Sequence, residues 1–182
     1  SLILAEWMTN KNIETFLITL NKDREDGYEL QPTINRVPIN YDSTLTKIEI
    51  IKKLRRELKF NNINKVLVMG VPLSVYVVPA SFGLDITVTI SERNDPANFK
   101  GKWITKLLSR SLMVFGDRFI FQTKQAKSYY PKFIQNKSAV IPNPILDESI
   151  PKKIKGNREK RIVTAGRLVP QKNHELLIRA FN

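Results

Sequence analysis

The strongest constraint on the fold is a succession of short apolar runs, rich in β-branched residues, that alternate with stretches of helical periodicity. Thr15-Phe16-Leu17-Ile18-Thr19-Leu20, Val66-Leu67-Val68-Met69, Ile86-Thr87-Val88-Thr89-Ile90, Arg118 to Thr123 and Ser138-Ala139-Val140-Ile141 each read as a strand. A strand that is apolar along its whole length is covered on both faces, and with helices between the strands that means a parallel sheet in an α/β fold. Ile34 to Ile39 predicts a further short strand, with Pro32 and Pro38 marking its ends. Gly70 predicts a turn at the carboxyl edge of the sheet.

The intervening stretches predict the other layer. Leu2 to Asn10 reads as a helix with Leu4, Ala5 and Met8 on one face, and Thr44 to Phe60 as a longer one with Ile48, Ile51, Leu54 and Leu58 on its buried stripe. Asn21 to Leu30 is a charged loop with Asp26-Gly27 as its turn signal. Pro72 to Ser81 is a helix or an irregular apolar element ending near Phe82-Gly83. Trp103 to Val114 is amphipathic, with Ile104, Leu107, Leu108 and Leu112 on its apolar side; Trp103 is either an interface anchor or, the commoner fate at helical spacing, core. Lys124 to Tyr130 forms a short helix that Pro131 stops.

Charge narrows the partners. The chain carries 30 Lys+Arg against 17 Asp+Glu, a net charge of +13, which calls for an anionic partner: phosphorylated small molecules, an acidic membrane surface or nucleic acid. Lys47, Lys52, Lys53, Arg55, Arg56 and Lys59 line the outer surface of the 44–60 helix, and Lys100, Lys102, Lys106 and Arg110 lie in or just ahead of the 103–114 helix. A solvated face is the ordinary fate of such runs, and membrane contact is the next reading. Nucleic acid has only the charge in its favour, because the aromatics are not interleaved with the bases as a stacking platform requires. Cysteine is absent and His174 is the single histidine, which removes disulfides and thiolate metal sites. No run of about eighteen apolar residues would span a bilayer, and no signal peptide is recognisable. The opening at Ser1 already reads as the middle of a helix, which predicts a truncated chain.

Two stretches concentrate polar chemistry. Residues 161–181 predict a strand at Ile162-Val163, a Gly166-Arg167 turn, a loop through Pro170, an N-cap at Asn173 and a helix with Leu176, Leu177, Ala180 and Phe181 on one face. Gly166 either takes a backbone conformation closed to other residues or lets a ligand approach the backbone. Arg167 and Lys172 then stand between a strand end and a helix N-terminus, where unpaired N–H groups and the helix dipole favour a diphosphate. The competing reading is a surface loop with two solvated bases. The second stretch, Ser91-Glu92-Arg93-Asn94-Asp95-Pro96, follows a strand at the edge where open α/β sheets place ligands. Arg93 suits a phosphate, and Glu92 or Asp95 would orient hydroxyls; the competing reading is an Asx-type turn capping a helix.

Three ordered matches carry a family resemblance. Gly166-Arg167-Leu168 followed by Lys172-Asn173, the segment Ser91-Glu92-Arg93-Asn94, and a strand followed by Gln122-Thr123, a short helix and Ile141-Pro142-Asn143 resemble family 4 glycosyltransferases of a bacterial polysaccharide branch. The resemblance implies a GT-B fold: residues 1–145 as an acceptor-side Rossmann-like domain without its first strand, 146–160 as linker, and 161–182 as the first β-α unit of a second, nucleotide-sugar-binding Rossmann domain. It implies retaining transfer of a hexose or N-acetylhexosamine from a nucleotide sugar to a growing, perhaps lipid-linked, glycan for the cell surface, at the cytoplasmic side of the membrane and without a metal ion or other cofactor. Gly166, Arg167 and Lys172 inherit donor-diphosphate binding, and Glu92, Arg93, Asn94 and Asp95 the acceptor side. Where many members have a His, this chain has Arg93. The family's Glu-x7-Glu stretch does not follow Lys172, so the catalytic residues stay unassigned and the 182-residue chain is expected not to be competent. The rival expectation is a non-enzymatic basic α/β module that docks on an anionic membrane or a partner chain.

Overall fold

The structure, a computed structural model, describes residues 2–21, 32–40, 44–97, 103–144, 160–169 and 172–181. The Asp26-Gly27 loop, Lys100, Lys102, Pro170 and nearly all of the expected linker lie outside them. The chain divides into two compact units, Ser1–Asn143 and Pro144–Asn182.

The first unit is α/β, and every strand ladder among the described residues is parallel. Helix α1 (Leu2–Asn10) leads into β1 (Phe16–Asn21), which pairs with β2 (Asn35–Asn40). Helix α2 (Lys47–Phe60) then leads to β3 (Lys65–Met69), a 3-10 turn at Val71–Leu73, α3 (Ser74–Ser81) and β4 (Thr87–Glu92). Helix α4 (Trp103–Leu112) continues through a 3-10 turn to β5 (Arg118–Phe121), followed by α5 (Lys124–Ser128), α6 (Lys132–Asn136) and β6 (Ser138–Val140). The order β3-β4-β5-β6 makes one sheet and β1-β2 a second. Parallel neighbours need a crossover, and the intervening helices supply it.

Two apolar clusters hold the unit together. Val68, Val88, Ile90, Phe119 and Phe121 from the larger sheet pack with Met113, Tyr130 and Ile134. Ile50, Leu54 and Leu58 of α2 meet Ile39 of β2 and Ala80 of α3, with Ile18, Leu20, Val66 and Ile86 against them. Strands from both sheets thus share one cluster on α2 and α3. Yet β1 and β3 each have a single ladder neighbour among the described residues. This differs from the fully buried strand expected at 15–20: Phe16 to Leu20 are only half-buried.

Other expectations shift for local reasons. Pro38 lies inside β2 and does not end it; β2 has β1 as its single ladder neighbour among the described residues, and edge strands are where proline is tolerated. Ile50, not Ile48, faces the core from α2, and Ile48 is exposed. At about 100° per residue Ile48 lies well off the stripe shared by Ile50, Leu54 and Leu58; the start itself is fixed by a capping box, in which the Thr46 hydroxyl accepts the Glu49 amide while Glu49 accepts the Thr46 amide. Arg55 leaves the expected basic outer surface and donates to the Ala80 and Phe82 carbonyls at the end of α3, where carbonyls have lost helical partners. Helix α6 went unforeseen beyond Pro131, which stops one helix and starts the next.

In the second unit, α7 (His174–Phe181) forms, but residues 161–167 are not a strand. Ile162 and Val163 are exposed, and no described residue offers them a ladder. β-propensity without a pairing partner makes no strand. The apolar residues of α7 are likewise not buried, and among the described residues of its unit no second helix or strand covers it.

Candidate functional site

The carboxyl edge of the larger sheet is built by the ends of β3, β4 and β5. Gly70, at φ 122°, turns the chain sharply out of β3, and its amide donates to the Ser91 carbonyl at 2.9 Å. That bond ties the β3 exit to the start of the polar hexapeptide, as the glycine predicts.

Glu92 ends β4 with its carboxylate buried. Oε1 accepts the backbone N–H groups of Arg93 and Asn94, each at 3.0 Å, and Oε2 accepts the Tyr130 hydroxyl at 2.7 Å. Three donors around one carboxylate offset the cost of taking the group out of water. Tyr130 is itself buried and packs on Phe121, with ring centroids 5.0 Å apart. Burial first, and then the Glu92 hydrogen bond, push its phenol pKa far above the ordinary value, so Tyr130 stays a proton donor.

The other end of the loop is held from α4. Asp95 Oδ1 accepts the Ala97 amide at 2.9 Å, an Asx turn, and Arg110 donates to the Pro96 carbonyl at 3.1 Å. The same guanidinium lies 4.8 Å from the centroid of the Tyr129 ring. As hydrogen-bond partner, Arg110 also holds the Tyr129 phenol below its ordinary pKa. Glu92 and Asp95 therefore both close the loop upon itself, and the turn reading describes what their carboxylates do here. Arg93 and Asn94 are different: their backbones are pinned while their side chains are exposed at the sheet edge. A pinned backbone beneath an exposed guanidinium is suited to meeting an anion without first ordering the loop.

Sequence reasoning missed Tyr129 and Tyr130 as site residues, and it placed Arg110 only on a basic helix face, not against this loop. Helix α5 ends at Ser128, short of the expected Tyr130, and the contacts of Tyr130 with Glu92 and of Tyr129 with Arg110 join distant segments, which leave no spacing signal. Gln122 Nε2 also donates to Asn143 Oδ1 at 3.0 Å, joining the chain after β5 to the chain after β6.

In the second unit the Gly166 region is compact. Lys172 donates its amide to the Val169 carbonyl at 2.9 Å, and the His174 ring Nε2 lies 3.1 Å from the Arg167 carbonyl oxygen. Gly166 does not have a positive φ, and a Cβ placed on it would sit 3.5 Å from the His174 ring and 3.6 Å from Lys172 Cγ. Those are ordinary contacts, so neither backbone conformation nor space around it demands glycine at 166. Asn173 stands before α7 at φ 48°, a left-handed conformation that asparagine accepts more readily than most residues. Arg167 and Lys172 are both exposed beside the start of α7.

A pocket of about 160 Å³ opens at the amino edge of the sheet, lined by Phe82, Ile86, Phe115 and Asp117 among others. Its one carboxylate is engaged: Asp117 Oδ2 accepts the Val88 amide at 2.7 Å. The polar groups of the hexapeptide lie at the opposite edge. No helix among the described residues is long and apolar enough to cross a membrane. Neither the protein-family models nor the curated proteins contain a match to this chain.

Proposed function

We propose that this chain belongs to a retaining glycosyltransferase of the GT-B type, in which the first unit serves the acceptor and the second begins the nucleotide-sugar site. The observation that carries the reading is the pairing of Arg167 and Lys172, both exposed, at the start of an apolar helix directly after Gly166. A guanidinium offers two parallel donors to a phosphate, an ammonium adds a compact charge, and the helix N-terminus contributes backbone N–H groups. Together they stabilise the negative charge that grows on a leaving nucleoside diphosphate, which is the largest electrostatic demand of sugar transfer. Gly166 leaves room for the diphosphate against the backbone. Arg93, on its pinned loop, holds an anionic group of the acceptor, and Asn94 orients a hydroxyl. The parallel α/β construction of the first unit supports this assignment, since such sheets present ligand-binding loops at their carboxyl edge.

Uridine diphosphate titrated into the purified chain tests the proposal by calorimetry. Binding is expected to be saturable and to weaken roughly tenfold or more in Arg167→Ala and again in Lys172→Ala, the loss typical of removing one charged hydrogen-bonding group. Affinity unchanged in both variants overturns the assignment. A second reading, a non-enzymatic basic α/β module that docks on an anionic membrane or a partner chain, has the open apolar face of α4 in its support.

A further inference from the structure

The chain has two basic amphipathic helices, and the structure separates their roles. Helix α2 buries Ile50, Leu54 and Leu58 in the core, so its basic residues ride on a helix whose apolar stripe is already covered. Helix α4 does the reverse. Trp103 is 72% exposed, Ile104 50%, Leu107 58% and Leu108 47%, while its buried residue is Ser109.

The reversal has a visible cause. The Ser74 hydroxyl donates to the Ser109 carbonyl at 3.3 Å and to the Val71 carbonyl at 2.7 Å. The side of α4 bearing Ser109, continued by buried Met113, is thus seated on the turn that precedes α3. With that side anchored, the helical stagger carries Trp103, Ile104, Leu107 and Leu108 outward together. Val114 and Phe115 extend the exposed apolar surface past the end of the helix, and Phe115 meets exposed Phe82 edge-on at 5.0 Å. Large side chains gathered on one exposed ridge mark an interaction surface.

Charge selects the occupant. Arg110 lies along the flank of this ridge, fixed by the Pro96 carbonyl and the Tyr129 ring, and Lys106 shares that flank. A second copy of a chain with a net charge of +13 is repelled on approach. A convex apolar ridge with a tryptophan in its first turn and bases along one side matches a bilayer interface bearing anionic lipid. We propose that α4 is a membrane-interface helix: Trp103, Ile104, Leu107 and Leu108 enter the headgroup–acyl boundary of an anionic bilayer, while the basic face of α2 contributes only long-range attraction. This inference uses none of the residues assigned to the diphosphate, and it stands or falls apart from that assignment.

The chain holds two tryptophans, so Trp7→Phe leaves Trp103 as the single reporter. The Trp7→Phe chain is mixed with vesicles of phosphatidylcholine alone and with vesicles of equimolar phosphatidylcholine and phosphatidylglycerol. The expected result is a blue shift of Trp103 emission with the anionic vesicles only. Leu107→Glu with Leu108→Glu should weaken vesicle binding roughly tenfold or more with an unchanged circular dichroism spectrum, since both side chains are exposed. Lys52→Glu with Lys53→Glu should lower affinity yet leave the blue shift of the bound protein intact. Sedimentation with anionic vesicles without a Trp103 shift would overturn the proposal, because another face would be making the contact. So would an equal shift on neutral vesicles, or no binding to either. A lipid-free dimer that the Leu107→Glu, Leu108→Glu variant dissociates would also overturn it, by assigning the ridge to self-association.

Discussion

Glu92 and Tyr130 show how much a single buried pair can organise. One carboxylate collects two backbone amides and a phenol, and so fixes the loop that presents Arg93 and Asn94. Tyr130→Phe removes one donor and leaves Glu92 Oε2 buried without it, which should destabilise the chain by about 1–3 kcal/mol in chemical denaturation. The pH dependence has a definite sign. The phenol pKa is raised in the folded chain above its ordinary value of 10.0, so its contribution is complete below about pH 10 and declines as pH rises further, when the unfolded chain releases a proton that the folded chain keeps. Tyr130→Phe should lack that part of the alkaline decline; an identical alkaline limb in both proteins would contradict it. The sequence made Glu92 visible as a polar residue at a strand end. It gave no hint that the carboxylate turns inward, because the partner comes from a different β-α segment.

At the scale of elements, the alternation of apolar runs and helical periods predicts the strands of the first unit and most of its helices. What periodicity leaves undecided is the face each helix turns to the core. In α2 the buried stripe runs through Ile50 and not Ile48, because Ile48 lies about 100° around the helix from the face that Leu54 and Leu58 share. In α4 the anchored side carries Ser109, with Leu112 against the core cluster, while Leu107 and Leu108 face outward, so most of the apolar signal marked the outside. The strand expected at Ile162-Val163 illustrates the same limit, since a strand needs a neighbour that its own residues do not encode. Thr46→Ala should cost about 1 kcal/mol, read as a lower denaturation midpoint with an unchanged denaturant slope. The Thr46 hydrogen bonds hold the Glu49 carboxyl below its ordinary 4.5, so the capping contribution is present above that pH and fades as acid protonates the group. A Thr46→Ala protein whose midpoint matches the parent's at neutral pH would show that the cap contributes nothing.

At the scale of the whole molecule, exposed basic side chains occur on several different elements. The sheet edge of the first unit presents Arg93 and Asn94, α4 presents an apolar ridge with a basic flank, and the second unit presents Arg167 and Lys172 beside α7. The net charge of +13 favours anions at all three, so charge alone cannot say where a diphosphate binds. Position can. Nitrogen-15 labelled chain titrated with uridine diphosphate, at an ionic strength that screens non-specific attraction, reports the contact residue by residue. Saturable shifts at the amides of Gly166, Arg167 and Lys172 through Glu175, abolished in the Arg167→Ala, Lys172→Ala double variant, are the predicted result. Shifts confined to the basic face of α2, or none at saturating ligand, would contradict the donor-site reading at its centre.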